Sequence, residues 1–369
     1  MKKIIFPALL VAVMAIHAQK PTIVNHNCID LTEIPGKWID SAKSKLFIAY
    51  GHTSHGSQIT SGMNALEKYY SSGKYNWSHD GGTNDLHLFE GSGYTAGDLD
   101  HDCGYAGWDT KTRTYLDKTP DCNVLMWSWC GQVNSVNLQD HYLTPMSQLE
   151  TDYPDVTFVY MTGHLEGLGT SGTLLTANNT IRDYCKQHNK VLFDFADIEK
   201  YSPDCDTNFQ EYNATDGCKY QHPTRGEVNW ATEWLARNPD HELAKIAGEC
   251  GSCSHSVSLN CVKKGVAIWY LWAQLAGWEG NSANTKQYRT KSNLIITPNP
   301  VGNNFMIDLP DHLTNGNLKI LDMHGKIVHR HDIIENTGTV TFSNLNLPRG
   351  TYIMQFQSGE TVFRTKFVK

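Results

Sequence analysis

Chemically capable side chains gather in short blocks, each directly after an apolar run. Gly51-His52-Thr53-Ser54-His55-Gly56-Ser57-Gln58 follows residues 45–50 (KLFIAY), and Cys130-Gly131-Gln132-Val133-Asn134 follows 123–129 (NVLMWSW). Gly163-His164-Leu165-Glu166-Gly167 follows 156–162 (VTFVYMT), while Asp194, Asp197 and Glu199 end or follow 190–195 (KVLFDF). A serine at a strand-to-helix turn has its hydroxyl lifted off the sheet, beside the free N–H groups of a helix start that can stabilise an oxyanion. A serine there also caps helices, so Ser54 and Ser57 have a structural use as well as a chemical one. A histidine just ahead of a late helix, His255 in Cys253-Ser254-His255-Ser256, can serve as a general base.

The elements that must position these groups have a readable rhythm. The four runs are short and rich in Val, Phe and Ile, and each ends in polar or glycine-containing sequence, as strands buried on both faces do. Between them lie segments with helical character at 57–70, 143–151 and 177–188. Strand–helix alternation predicts a three-layer α/β/α unit with a mainly parallel sheet, flavodoxin-like in plan, over residues 22–280. In such a sheet ligands bind at the carboxyl ends of the strands, where the blocks fall. A last helix is expected from Val262, Val266, Trp269, Ala273 and Ala276, with Gly277 as its stop and its tryptophans in the core. Trp127 and Trp129 share one face of their strand, so core packing is expected of them; sugar stacking is open to Trp129 alone.

The order of the blocks resembles the SGNH, or GDSL-like, hydrolases: a serine in the first block, glycine and amide in middle blocks, histidine near the end. The opening is nearer to a divergent branch with a histidine–serine motif than to Gly-Asp-Ser. The resemblance implies Ser54 as nucleophile and His255 as base. It also implies Ser54 and Gly131 N–H groups as oxyanion donors, with Gln132 or Asn134 as side-chain donor; His164, which follows the third apolar run, is a further candidate catalytic residue by position. Two departures stand out. The position three before His255 is Ser252 rather than the usual Asp, which leaves Asp194, Asp197 and Glu249 as candidate acids. Asp216-Gly217 and His222-Pro223-Thr224 form a stretched version of the family's D-G-x-H-P, which makes His222 a rival base. The expected function is therefore an exported serine esterase acting on carbohydrate or other polymer esters. The alternatives are a surface glycan-binding protein on the same fold, and a metal-dependent hydrolase using His52, His55 and His164.

Lys2 and Lys3 precede an apolar stretch from Ile4 to Ile16, with small Ala18 after it: a cleavable secretory leader at 1–18. The even count of 10 cysteines in an exported chain then reads as disulfides, including Cys250-x-x-Cys253, whose spacing with His255 and Cys261 also mimics zinc ligation. No cofactor and no resident metal are expected. The net charge of -7 excludes the basic surplus that nucleic-acid binding needs. After the leader, no apolar run approaches the ~18 residues of a membrane span. Residues 98–109 (DLDHDCGYAGWD) are acidic and glycine-rich, without EF-hand spacing, and read as a disulfide-tied surface loop.

The chain changes character near residue 280. A polar linker at 281–292 leads to short alternating runs separated by Gly, Asn and Pro, the pattern of a small antiparallel immunoglobulin-like sandwich at 293–369. Its ITPNP, LKILDMHGKIV, LNLPRGTYIMQF and terminal FVK resemble a type A C-terminal sorting domain of the type IX secretion system of Bacteroidetes. That resemblance implies the secretion machinery as partner and a secreted or cell-surface destination.

Overall fold

The computed structural model describes residues 21–91, 99, 101–205, 207–280, 294–309, 316–323, 326–333, 338–358 and 361–369. The expected leader and linker lie outside these residues. The chain divides into two compact units, residues 1–280 and 281–369.

In the first unit, β1 (Thr22–Val24), α1 (Gly36–Lys45), β2 (Phe47–Gly51), α2 (Ser57–Tyr69), β3 (Trp77–Ser78), β4 (Leu86–Gly91), α3 (Trp108–Lys118) and β5 (Val124–Trp127) come first. Then follow α4 (Thr144–Asp152), β6 (Thr157–Met161), α5 (Thr173–Gln187), β7 (Val191–Phe193) and α6 (Phe195–Glu199). A hairpin of β8 (Lys219–His222) and β9 (Gly226–Asn229) leads to α7 (Trp230–Arg237), α8 (Glu242–Glu249) and α9 (Ser258–Leu275). Seven strands form one parallel sheet in the order β1-β7-β6-β5-β2-β4-β3. Helices α1, α2 and α8 pack with α9 on one face, and α3, α4 and α5 cover the other.

The four apolar runs are the strands β2, β5, β6 and β7, and their interiors are buried because helices press on both faces. Strands β1, β3 and β4 were not legible in the sequence. Two are only two or three residues long, and β4 (LHLFEG) alternates instead of running apolar. Trp127 and Trp129 are buried, and Trp129 donates its indole N–H to Met161 O at 3.1 Å, so neither faces a sugar.

Helix α9 is buried on nearly every side, which explains its broad apolar face, and Gly277 at φ 113° turns the chain out of it. It crosses α2 at Gly62 and Gly265. A Cβ on Gly62 would lie 2.0 Å from Cys261 O, so only hydrogen atoms on both sides allow the backbones to approach this closely. Among the described residues no helix is long and apolar enough to cross a membrane.

The second unit is all β: β10 (Ile295–Thr297), β11 (Phe305–Asp308), β12 (Gly316–Asp322), β13 (Ile327–Ile333), β14 (Thr339–Phe342), β15 (Thr351–Ser358) and β16 (Thr361–Val368). They form antiparallel sheets β10-β11-β14 and β13-β12-β15-β16 around a core of its own that includes Ile307, Leu318, Ile320, Phe356 and Phe367.

The cysteines depart from the expectation. One disulfide forms, Cys253–Cys261, and the other cysteines are not joined to it. Cys250 is not paired with Cys253, and Cys103, expected to tie the acidic loop, instead points its thiol at Ser128 O, 3.0 Å away. Most of these thiols serve as small apolar core groups, a role that an even count cannot distinguish from pairing.

Candidate active site

The chain leaves β2 toward β4 and then returns past β2 to β5, so the strand order reverses between β2 and β5, the switch point at whose carboxyl ends open parallel sheets form their ligand crevices. The turn 54–56 lies at the β2 edge of this crevice. Its tight seat depends on Gly56, where a Cβ would come within 2.4 Å of both His52 Cβ and Ser128 Oγ. Tyr50 donates its hydroxyl to Gly56 O at 3.0 Å, and Ser57 donates its own to Ser54 O at 2.7 Å, so Ser57 supports the turn.

Ser54 Oγ lies 2.9 Å from His255 Nε2. His255 sits in a turn closed by Ser256 N–H donating to Cys253 O at 3.1 Å, with its backbone at φ 62°. A non-glycine residue in this left-handed region is strained and must be held from outside. Here the holding is explicit: the Cys253–Cys261 disulfide pins the turn to the first turns of α9, and Gln58 Nε2 donates to Ser254 O at 2.6 Å. Ser256 Oγ donates to Asp216 O at 2.7 Å.

A second chain of contacts runs through the same crevice. His55 Nδ1 is 3.3 Å from Cys130 Sγ, and its Nε2 is 3.0 Å from Asp216 Oδ2. Cys130 Sγ in turn lies 3.6 Å from Ser54 Oγ. The rings of His164 and His255 flank His55, each 4.2 Å away and within 7° of parallel. Burial opposes charge on His55, but the hydrogen bonds to Asp216 and Cys130 outweigh it and raise its pKa to about 9. The hydrogen bond from His55 lowers the Cys130 thiol to about 7 against the opposing effect of burial. Partial burial and the facing His55 charge push His255 below the ordinary histidine value. A charged imidazole therefore lies beside a neutral one that can accept a proton.

Beneath the crevice, Glu199 links its loops. Its carboxylate accepts Leu165 N–H at 2.8 Å, Lys264 Nζ at 2.8 Å and Asn260 Nδ2 at 3.1 Å. Glu199 and Lys264 are both fully buried, and Asn260 also donates to Ser256 Oγ at 2.8 Å. The His164 and His255 loops thus share one buried ionic anchor.

Other expected residues are placed elsewhere. Asn134 donates its amide to Thr173 Oγ1 at 2.8 Å and so is turned to another partner, whereas Gln132 folds back so that its Oε1 accepts Cys130 N–H at 3.3 Å, a bond that engages its oxygen and not its Nε2. Among the described residues no protein acceptor takes the N–H of Ser54 or Gly131. Asp194 is held by Arg182 at 2.7 and 2.8 Å, and Asp197 by His26 and Lys200, so neither orients His255. His222 accepts Thr224 N–H at 3.2 Å within its own hairpin. The carboxylate of the site is Asp216, from the stretched motif, and it faces His55.

The metal set His52, His55 and His164 is not assembled. His52 is committed to Glu90 at 2.9 Å and to Thr53 O at 3.0 Å, while His55 and His164 stack face to face. The ligand atoms of His55, Asp216 and His255 do lie within 4.8 Å of one another. An imidazole binds a metal in its ring plane at ~2.0–2.1 Å, however, and two stacked, near-parallel rings share no such point. The cluster fits a proton relay better than a cage.

Comparisons with known proteins concern chiefly the second unit. Residues 296–369 match the family described as secretion system C-terminal sorting domain. No curated protein sequence matches the chain. Among solved structures, a DUF3244 family protein with an immunoglobulin-like β-sandwich fold from Bacteroides vulgatus is 22% identical over 19% of this chain and 77% of its own, with a TM-score of 0.17. An endo-β-1,4-mannanase double mutant from Cellulomonas fimi is 10% identical over 88% of this chain and 63% of its own, with a TM-score of 0.20. Residues 296–369 are thus a sorting domain that directs the protein through the type IX secretion machinery to the cell surface or the extracellular space.

Proposed function

We propose that the α/β unit is an exported hydrolase of ester bonds, in which Ser54 attacks the acyl carbonyl and His255 takes its proton. The observation that carries this reading is the 2.9 Å contact between Ser54 Oγ and His255 Nε2 at the sheet's switch point. As the Oγ–carbon bond forms, the hydroxyl proton passes to His255, and the N–H groups of Ser54 and Gly131 receive the oxyanion, a role supported by their lack of a protein acceptor among the described residues. His255 then protonates the leaving alkoxide, and water reverses the sequence to free the acid. The order of blocks along the chain, the same that resembles the SGNH hydrolases, supports the assignment. An extracellular destination supports esters on carbohydrate or another polymer as substrates. His255 has no carboxylate partner of its own among the described residues, so this serine works as a dyad, at a lower rate than a complete triad.

A fluorophosphonate probe tests the reading. The full chain is expected to be labelled at Ser54, with labelling lost in Ser54→Ala and slowed in His255→Gln. Labelling that survives in Ser54→Ala refutes it.

A further inference from the structure

We propose that Cys130, His55 and Asp216 form a second nucleophilic set, in which the Cys130 sulfur itself takes the acyl group as a thioester. The inference rests on the reading above in one respect, that the crevice admits acyl esters, and it gives that site a second entry point.

The geometry is that of a nucleophile, a base and an orienting acid. Both ring nitrogens of His55 are committed, Nδ1 to Cys130 Sγ at 3.3 Å and Nε2 to Asp216 Oδ2 at 3.0 Å. His255 serves Ser54, so each nucleophile has its own imidazole, and only the Cys130 side has a carboxylate behind it. The two nucleophilic atoms are 3.6 Å apart, close enough for one bound carbonyl carbon to lie within reach of either. Cys130 follows β5 at the carboxyl edge of the sheet and is only partly buried, next to the unclaimed N–H of Gly131. Six of the other thiols differ: burial raises Cys28, Cys103, Cys122, Cys185, Cys218 and Cys250, whereas the facing imidazole lowers Cys130.

Electrostatics favour the sulfur route at the first step. When Ser54 attacks, the proton arriving on His255 places a second cation against the charged ring of His55, 4.2 Å away. Attack by the thiolate creates no new cation. The sulfur lone pair forms the carbon–sulfur bond, and the carbonyl electrons move to oxygen. On collapse the carbon–oxygen bond breaks and the Nδ1 proton of His55 goes to the leaving alkoxide. Water then attacks the thioester, gives its proton back to His55, and the departing sulfur regenerates the thiolate.

The test uses the full chain with p-nitrophenyl acetate, acid quench and intact mass. Ser54→Ala is expected to gain one acetyl group that maps to Cys130, is removed by neutral hydroxylamine and is absent from Ser54→Ala/Cys130→Ala. In the Ser54→Ala background, Asp216→Asn is expected to slow acetylation at least ~10-fold, in keeping with the loss of an orienting acid. Circular dichroism identifies variants that have not folded, and Ser54→Gly replaces Ser54→Ala if that one has not. No acetyl on folded Ser54→Ala, or an acetyl that persists without Cys130, overturns the inference. Wild-type labelling of Ser54 by fluorophosphonate separates the two readings. Labelled Ser54 without thioester sinks the cysteine alone; thioester without labelled Ser54 sinks the serine alone.

Discussion

Replacing His55 by Gln should move the pH profile of Cys130 alkylation upward by about two units rather than merely scale it down. With its pKa at about 7, the thiol is about half ionised at pH 7. Without the imidazolium it should return toward its ordinary value of 9.0 and be ~1% ionised at that pH, a loss of ~50-fold in thiolate. A more basic thiolate is also a better nucleophile, with a Brønsted slope of ~0.4–0.5, so two units of basicity give back ~6–10-fold. The net expectation is a rate ~5–8-fold slower at pH 7, with the two profiles converging above pH 10, where both thiols are ionised and His55, its pKa at about 9, has itself lost its charge. The groups facing this chain are Ser54 and Thr53 on the Cys130 side, and Asp216, Glu199, His164 and His255 around His55; none is altered by the change. Iodoacetamide rates, read by peptide mass spectrometry from pH 5 to 11, supply both profiles. Superimposable curves with a midpoint at the ordinary thiol value would refute the thiolate–imidazolium assignment.

The same pair makes a statement about stability. The raised His55 contributes stability that is full below its ordinary value of 6.5 and is lost as pH rises through about 9. The lowered Cys130 contributes stability that is full above 9.0 and is lost as pH falls through about 7. These slopes oppose across pH 7–9, so urea unfolding of the wild type should be nearly flat there, whereas Cys130→Ala should lose stability as pH rises; a flat profile in the variant counts against the linkage. Glu199→Gln leaves Lys264 buried without its counter-charge and should cost about 3–5 kcal/mol, while adding Lys264→Met to Glu199→Gln removes the stranded charge and should recover part of that loss, both measurable by denaturant melts. Replacing both Cys253 and Cys261 by Ser opens a short loop, with a sequence separation of 8, and should cost about 2–3 kcal/mol. It should also lower fluorophosphonate labelling at Ser54, because the strained His255 turn loses its pin; unchanged labelling in a folded variant would show the turn to be held by Gln58 and Ser256 alone.

Much of the architecture is legible along the chain because it follows from local pattern. Apolar runs of four to seven residues between polar blocks specify strands covered on both faces, and an apolar helix ending at Gly277 specifies a buried one. The C-terminal run of PNP, D-x-x-G-K and L-P-x-G-x-Y marks the sorting domain in the same way, through turn chemistry spaced by short strands. Short or alternating strands such as β3 and β4 escape this reading, because their place is decided by the neighbour that completes their hydrogen bonds.

The site divides along the same line. That Ser54, Cys130 and His164 fall at the ends of strands is a property of sequence order, and a parallel sheet brings those ends to one edge. Which imidazole serves which nucleophile is not, since it depends on side-chain direction across contacts separated by 201 positions for His255–Ser54 and 161 for His55–Asp216. Only the packed structure could join Asp216 to His55, leave Cys130 unpaired beside it and hold His255 at a left-handed backbone angle. The His255 turn rests on the Cys253–Cys261 disulfide and on Gln58, and the His164 and His255 loops share the buried Glu199–Lys264 pair, so residues remote in the chain fix the site through contacts that only packing creates.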